Sequence, residues 1–299
     1  MADLDVDRLR LLREVGLRGS IAAAARSVGV TASAVSQQLA QLERETGTSL
    51  LDRSPRGVVL TGAGQLLADR AGQVLDLLAT ARADLDKVAG SVAGPVRAAA
   101  VASAAATVVS SAVAALRASD PGIEVGVRAA EPERAIGMLL AGDVDLAVVD
   151  EYDHVPLALP DTAVARQLLV EPLVVVRPAG QGRRRIDLAA LAAAEWVMPP
   201  EDAACGRAVR AACRVAGFEP RVRWETDDML LLVRAVADGH GVSVLPRLSV
   251  DPSVGRVDVG ALRAPGLSRR LLAVARRGVA ARPVVAAVLD AIAAACRGR

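Results

Sequence analysis

At 299 residues the chain exceeds a typical single domain, and a composition of 53% hydrophobic and 23% charged residues is that of a folded protein, not a disordered one. No run approaches ~18 uninterrupted apolar residues and the acidic start lacks an apolar leader, so a cytoplasmic protein without membrane contact is expected. The formal net charge of +2 points by itself to neither a nucleic-acid nor a membrane partner.

In chain order, residues 1–60 carry short helical patterns. Leu9, Leu12 and Val15–Leu17 form a first apolar face, and Ser20 stands as a cap before the small-residue run Ile21–Ala25. Gly29 breaks the pattern. Thr31 opens a second helix reaching about Glu45, with Val35, Leu39 and Leu42 on one face and Ser33, Ser36, Gln37 and Gln41 opposite. Two short helices about a glycine turn, the second polar outward, make a helix-turn-helix whose Ser and Gln side chains suit base edges. Leu50–Leu60 reads as a hairpin with Arg53 and Arg56 at its tip, placed for a minor groove or a phosphate backbone. A helix-turn-helix is also a packing motif without any DNA role, and residues 1–60 hold eight arginines against seven acids. From Arg18 to Gln41, however, there is no acid at all.

From Thr61 the apolar positions Leu67, Ala71, Val74, Leu78, Ala81, Leu85 and Val88 follow a strict heptad spacing. The implied helix, closed by Gly90, would be roughly 40 Å long at ~1.5 Å per residue. Leu67, Val74, Leu78 and Leu85 are its candidate dimerisation residues; the alternative is packing onto the chain's own domains.

After the hinge at Gly90–Pro95, apolar runs alternate with helical periods, which predicts α/β sheet structure in two lobes. The expected division is a DNA-binding domain over 1–60, a linker helix over 61–90 and an α/β domain over 91–299. Lobe I covers about 95–165 plus 268–299, and lobe II about 166–267. Ligands of open α/β sheets sit at the carboxyl ends of strands. Those ends offer Ser103, Asp150, Pro200, Glu201, Thr226 and Asp227 as candidate effector contacts, although Ser103 and Thr226 could equally serve as caps. If Asp150, Glu201 and Asp227 share one cleft, their charge favours a cationic or amine-bearing ligand.

Several motifs, taken at their spacing, are highly specific. Ser20-x-Ala22-Ala23-Ala24-Ala25, Thr31–Leu39, Leu42-Glu43, Gly47, Leu50-Leu51-x-Arg53, Arg56 and Leu60-Thr61-x-x-Gly64 together resemble the winged helix-turn-helix of LysR-type transcriptional regulators. Leu12 and Leu51 depart from it, standing where the family usually has Phe. Pro121–Val125, Gly142–Val148 and Gly239–Pro246 resemble, more weakly, the family's periplasmic-binding-protein-like effector domain; His240 stands where an apolar residue is usual. The resemblance implies that Ser33, Ser36 and Gln37 approach bases, that Arg53 and Arg56 lie on the wing, and that Thr31 meets a phosphate. It also implies a homodimer or homotetramer on double-stranded DNA of interrupted dyad symmetry, with a small-molecule effector. Cys205 and Cys213 lie near the redox pair of the family's peroxide sensors. Eight residues along a helix would hold them ~12 Å apart, too far for a disulfide without unwinding, and two inert buried thiols are expected.

Rival classes lack their residues. The sole lysine, Lys87, is not in a glycine-rich loop, and His154 and His240 form no His-Glu-x-x-His pair. No Gly-x-Ser-x-Gly elbow or Gly-x-Gly-x-x-Gly fingerprint occurs, so no enzyme, metal or cofactor is expected. A transport-type solute-binding protein would carry a leader segment.

Overall fold

The computed structural model describes residues 4–54, 57–88, 92–182, 185–251, 253–263 and 266–297. Arg56 and the hinge residues Gly90 and Ser91 lie outside the described residues. Two compact units form, one comprising Met1–Ser91 with Leu140–Asp143 and Arg276–Pro283, the other Val92–Leu139, Val144–Ala275 and Val284–Arg299.

In the first unit, α1 (Val6–Arg18), α2 (Ile21–Val28) and α3 (Ala32–Thr46) each begin at a side-chain cap and end at a left-handed glycine. The Asp5 carboxylate accepts from the Asp7 and Arg8 amides, the Ser20 hydroxyl from Ala23, and the Thr31 hydroxyl from Ala34. Leu12, Val15, Val35, Leu39 and Leu42 close a small core with Leu50 and Leu51. Leu12 and Leu51 are both buried there, so leucine fills positions where a phenyl ring would be larger.

The wing is an antiparallel pair, β1 (Leu51–Ser54) and β2 (Gly57–Leu60), with Arg53 opposite Val58. Its base is fixed by Glu43, whose Oε1 accepts from the Leu50 and Leu51 amides at 2.8 and 3.1 Å. Thr61 donates its hydroxyl to the Ser49 carbonyl and accepts from the Gly64 amide, starting the 27-residue helix α4 (Gly62–Val88). A Cβ at position 64 would lie 2.0 Å from the Leu50 carbonyl oxygen, so only glycine lets α4 approach the wing this closely.

The second unit begins with β3 (Gly94–Ala100), then α5 (Ala102–Ala104), a π-helical turn (Ala105–Val109) and α6 (Ser110–Ser119). By length and composition Ala102–Ser119 could cross a bilayer, at a mean hydropathy of 1.2. It contains Ser and Thr within its apolar run, and Ala104, Val108, Val109, Ala112 and Leu116 are buried inside the unit. Next come β4 (Ile123–Ala129), α7 (Pro132–Ala141), β5 (Leu146–Tyr152) and the sixteen-residue β6 (Ala163–Pro178). A 3₁₀ turn at Leu188–Leu191 leads to β7 (Glu195–Met198), α8 (Ala204–Val215), β8 (Arg221–Glu225), α9 (Met229–Ala237) and β9 (Ser243–Pro246). β10 (Val257–Ala261), β11 (Ser268–Arg276) and α11 (Pro283–Arg297) complete the order, and α10 (Arg277–Ala280), between the last two, belongs to the first unit.

One sheet runs in the order β10-β6-β11-β5-β3-β4, with β9 also on β6, while β7 and β8 pair separately. β3 is parallel to both β4 and β5, and β11 returns antiparallel to β5. The first half of β6 and β11 therefore belong with β3–β5, whereas its second half carries β9 and β10. Leu173 donates to the Leu267 carbonyl at 2.8 Å where the chain enters and leaves the second lobe.

Candidate DNA-binding face and effector cleft

On α3 the buried Val35, Leu39 and Leu42 anchor one side, and Ser33 and Gln37 are exposed on another, with Ser36 half-buried. Among the described residues their side chains have no partner. Neighbouring glutamines differ: Gln38 accepts from Arg8 Nε at 2.9 Å, and Gln41 bonds both Glu45 and Arg44. Thr31 is exposed, with its hydroxyl engaged as the α3 cap. Arg53 stands in β1, on the wing strand.

Along α4, Leu67 packs partly against the winged core, and Ala68 and Ala71 are buried. Val74, Leu78 and Leu85 are 39, 48 and 64% exposed, with Leu77 at 70% beside them. The heptad thus turns from the unit's own core toward solvent after its first turns, leaving an apolar stripe that this unit does not cover.

In the α/β unit Ser103, Asp150 and Asp227 line a common cavity, but its volume is only about 20 Å³, room for a single water. Its floor is filled by a side chain that the sequence reading did not single out. Arg269, 1% exposed, donates through Nε to Glu171 at 2.9 Å and through Nη1 to Ser103 Oγ at 2.8 Å and Asp150 Oδ2 at 3.1 Å. Its Nη2 also bonds Glu171. The Tyr152 hydroxyl donates to Asp150 at 2.9 Å, and Glu171 Oε2 accepts from the Leu248 amide at 2.8 Å. Burial opposes the charge on Arg269, and Tyr152, Asp150 and Glu171 outweigh that, holding the guanidinium above its ordinary value. Burial pushes the Asp150 carboxyl up, against the pull of Arg269 and Tyr152. Glu131 is exposed overall, but partial desolvation of its carboxyl on the same cavity, with the like charges of Asp150 and Asp227, pushes it up to about 7.

The other three strand-end residues do not line this cavity. Pro200 and its neighbour press their carbonyls onto α8: a Cβ at Gly206 would lie 2.0 Å from the Pro200 oxygen and 2.6 Å from that of Pro199. Arg210 fixes the same turn, donating to the Pro199 carbonyl at 2.8 Å and to Glu225 at 2.6 Å. Glu201 is exposed on that turn, and Thr226 accepts from the Asp228 amide at 3.1 Å. Of the three acids weighed for a cationic ligand, Asp150 and Asp227 share the cavity and Glu201 does not, and Asp150 already has an internal counter-charge.

Burial pushes both the Cys205 and Cys213 thiols up to about 12, so neither supplies a thiolate at neutral pH. Among the described residues no group of three His, Cys, Asp or Glu side chains is disposed for a metal ion.

Two family models match the chain: the bacterial regulatory helix-turn-helix protein of the lysR family over residues 6–65, and the LysR substrate binding domain over residues 89–297. The HTH-type transcriptional regulator CbbR of Rhodospirillum rubrum is 27% identical over 293 residues, covering 97% of this chain and 96% of that protein. A probable hydrogen peroxide-inducible genes activator of Mycobacterium avium is 30% identical over 276 residues, covering 88% and 85%. A full-length OxyR variant of Pseudomonas aeruginosa superposes with a TM-score of 0.72 at 22% identity, over 99% of this chain and 96% of that one, which is a likeness of fold. With both domains matched in order, the chain belongs to the LysR family of DNA-binding transcription regulators, an N-terminal helix-turn-helix joined to an effector-binding α/β domain.

Proposed function

We propose that the chain binds, as a homodimer or homotetramer in the cytoplasm, an operator of interrupted two-fold symmetry. Ser33, Ser36 and Gln37 enter the major groove, Thr31 meets a phosphate, and Arg53 and Arg56 grip the flanking backbone or minor groove. The stripe of Val74, Leu78 and Leu85 pairs the protomers. A small molecule held between the lobes of the α/β unit changes the spacing of the winged units, and it can do so only through its differential affinity for the two arrangements. No catalytic step or cofactor enters this role.

The observation that carries the reading is the outer face of α3. Three short polar side chains stand there without partners among the described residues, on a stretch from Arg18 to Gln41 that contains no acid. The test is fluorescence anisotropy on duplex DNA from upstream of the chain's own gene, with a scrambled duplex at the same salt. Preferential binding is expected. Gln37→Ala should relax base preference, and Arg53→Ala should weaken every sequence and flatten the salt dependence. Equal losses from both substitutions across all sequences would refute that division of labour.

A further inference from the structure

The first unit contains a turn that lies far from the winged residues in sequence. Leu140–Asp143, the end of α7 and the turn after it, belong with α1–α4, while the rest of α7 belongs to the second unit. Two arginines of α1 hold this turn. Arg18 donates through Nη2 to Asp143 Oδ1 at 2.5 Å and through Nε to Glu14 Oε2 at 2.7 Å. Arg13 donates to the Leu140 carbonyl. Its guanidinium runs between two glycines. A Cβ at Gly72 of α4 would lie 3.4 Å from its Nε, and one at Gly142 would lie 4.0 Å from its Nη1.

These bonds differ in how readily they can be given up. Glu14 is 6% exposed, and its Oε2 also accepts from Ser27 Oγ of α2 at 2.7 Å. Losing Arg18 would leave Glu14 a buried charge without its cation. Asp143 can leave without that penalty, because its side chain is 33% exposed and Arg18 keeps Glu14 as counter-charge. The Leu140 carbonyl is among the last four of α7, which have no acceptor role within the helix and can turn to water. The grip therefore has a permanent half, Glu14 with Arg18, and a detachable half, Asp143 with the Leu140 carbonyl.

At its other end α7 starts beside the cleft. Glu131 lines the small cavity there, and Glu133 pairs with Arg207 of α8, in the second lobe, at 3.0 Å. The ten residues of α7 make a rod of ~15 Å. Pivoted at its first turn, a tilt of roughly 10° would carry its far end ~2.5 Å, more than a hydrogen bond tolerates.

We propose that α7 is the rod by which the α/β unit acts on the winged unit, and that Asp143 and the Leu140 carbonyl form its releasable catch on α1. The proposal rests on the regulator reading and names its moving part. A lobe movement that pulls on Glu133 tilts α7, withdraws Asp143 from Arg18 and releases α1. With the pair intact, as here, α1 is held.

The test is a mutant cycle on the full-length protein and needs no ligand. Glu133→Arg repels Arg207 at one end of α7, and Arg13→Met with Asp143→Ala removes the catch at the other. The two ends share no partner and stand roughly 15 Å apart, a separation at which independent effects add. Fluorescence anisotropy on the operator duplex reads DNA affinity. Hydrogen exchange of the backbone amides of residues 10–19 reads α1 without DNA. Glu133→Arg alone should change affinity by about fivefold or more and speed that exchange by about threefold or more. In the protein without the catch it should change either by less than about twofold. Exchanging the pair, Glu133→Arg with Arg207→Glu, should restore the parental values, which a general loss of helix stability would not allow. Additive effects of the two ends, a Glu133→Arg protein that matches the parent, or no recovery in the exchanged pair would overturn the proposal. A parent that binds operator and scrambled duplex alike strikes the regulator reading instead, and the exchange cycle then decides the catch by itself.

Discussion

Replacing Arg269 by Met should strongly destabilise the α/β unit. The substitution keeps length and apolar bulk but strands Asp150 and Glu171, whose side chains are each 6% exposed, without their shared cation. It also removes the donor to Ser103 Oγ. Breaking a buried ion pair from one side costs about 3–5 kcal/mol, because the surviving charge stays buried. For a unit of this size each kcal/mol moves the melting point by ~2–4 °C, so a fall of about 6 to 20 °C is expected. The loss should depend on pH. Burial already raises the Asp150 carboxyl, and removing Arg269 raises it further. A carboxyl raised in the folded state contributes stability below its unfolded value and loses it as pH rises through the folded one. The gap between variant and parent should therefore widen from pH 5 to pH 8. Thermal unfolding of the two proteins across that range is the assay. A gap below ~1 kcal/mol at pH 8, or one that narrows with rising pH, would refute the assignment of a paired, ionised core to this site.

Glu131, pushed up to about 7, should make the α/β unit lose stability as pH climbs from its unfolded value of 4.5 toward 7, and Glu131→Gln should flatten that slope in the same melts. Native-state titration with an aromatic disulfide at pH 7.5 should leave Cys205 and Cys213 unlabelled, and peroxide should not alter operator affinity; prompt labelling of either would contradict their burial. Leu78→Glu with Leu85→Glu, on the exposed stripe of α4, should convert the protein to monomers by light scattering while the winged unit keeps its helical signal. An unchanged mass would mean that another surface holds the protomers together.

What could be read from the sequence was what neighbours along the chain decide. Ser20 and Thr31 cap helices because each stands immediately before a helical run, and the buried face of α3 follows from the spacing of Val35, Leu39 and Leu42. The cleft was a different case. Arg269 and Arg270 are adjacent and chemically identical, yet strand alternation sends one into the core and the other to Glu151 at 2.6 Å on the opposite side. The partners of Arg269 stand 98, 119 and 166 positions away, so only the closed fold reveals that Asp150 is neutralised internally. Pro200 and Glu201 fall at a strand end as expected, but the lodging of Gly206 under that turn decides where they face.

The meeting of β6 and β11 also bears on how such a protein changes over evolutionary time. The second lobe is entered midway along one strand and left just before the other, with Leu173 and Leu267 hydrogen-bonded at the junction. Its two ends are thus a single backbone bond apart, the arrangement in which insertion and exchange of a whole segment disturb the host least. The lobe can be regarded as a cassette set into the first. Recombination at this junction could give a descendant a different ligand wall on one side while the strands behind the other, and the helices that read DNA, keep their places.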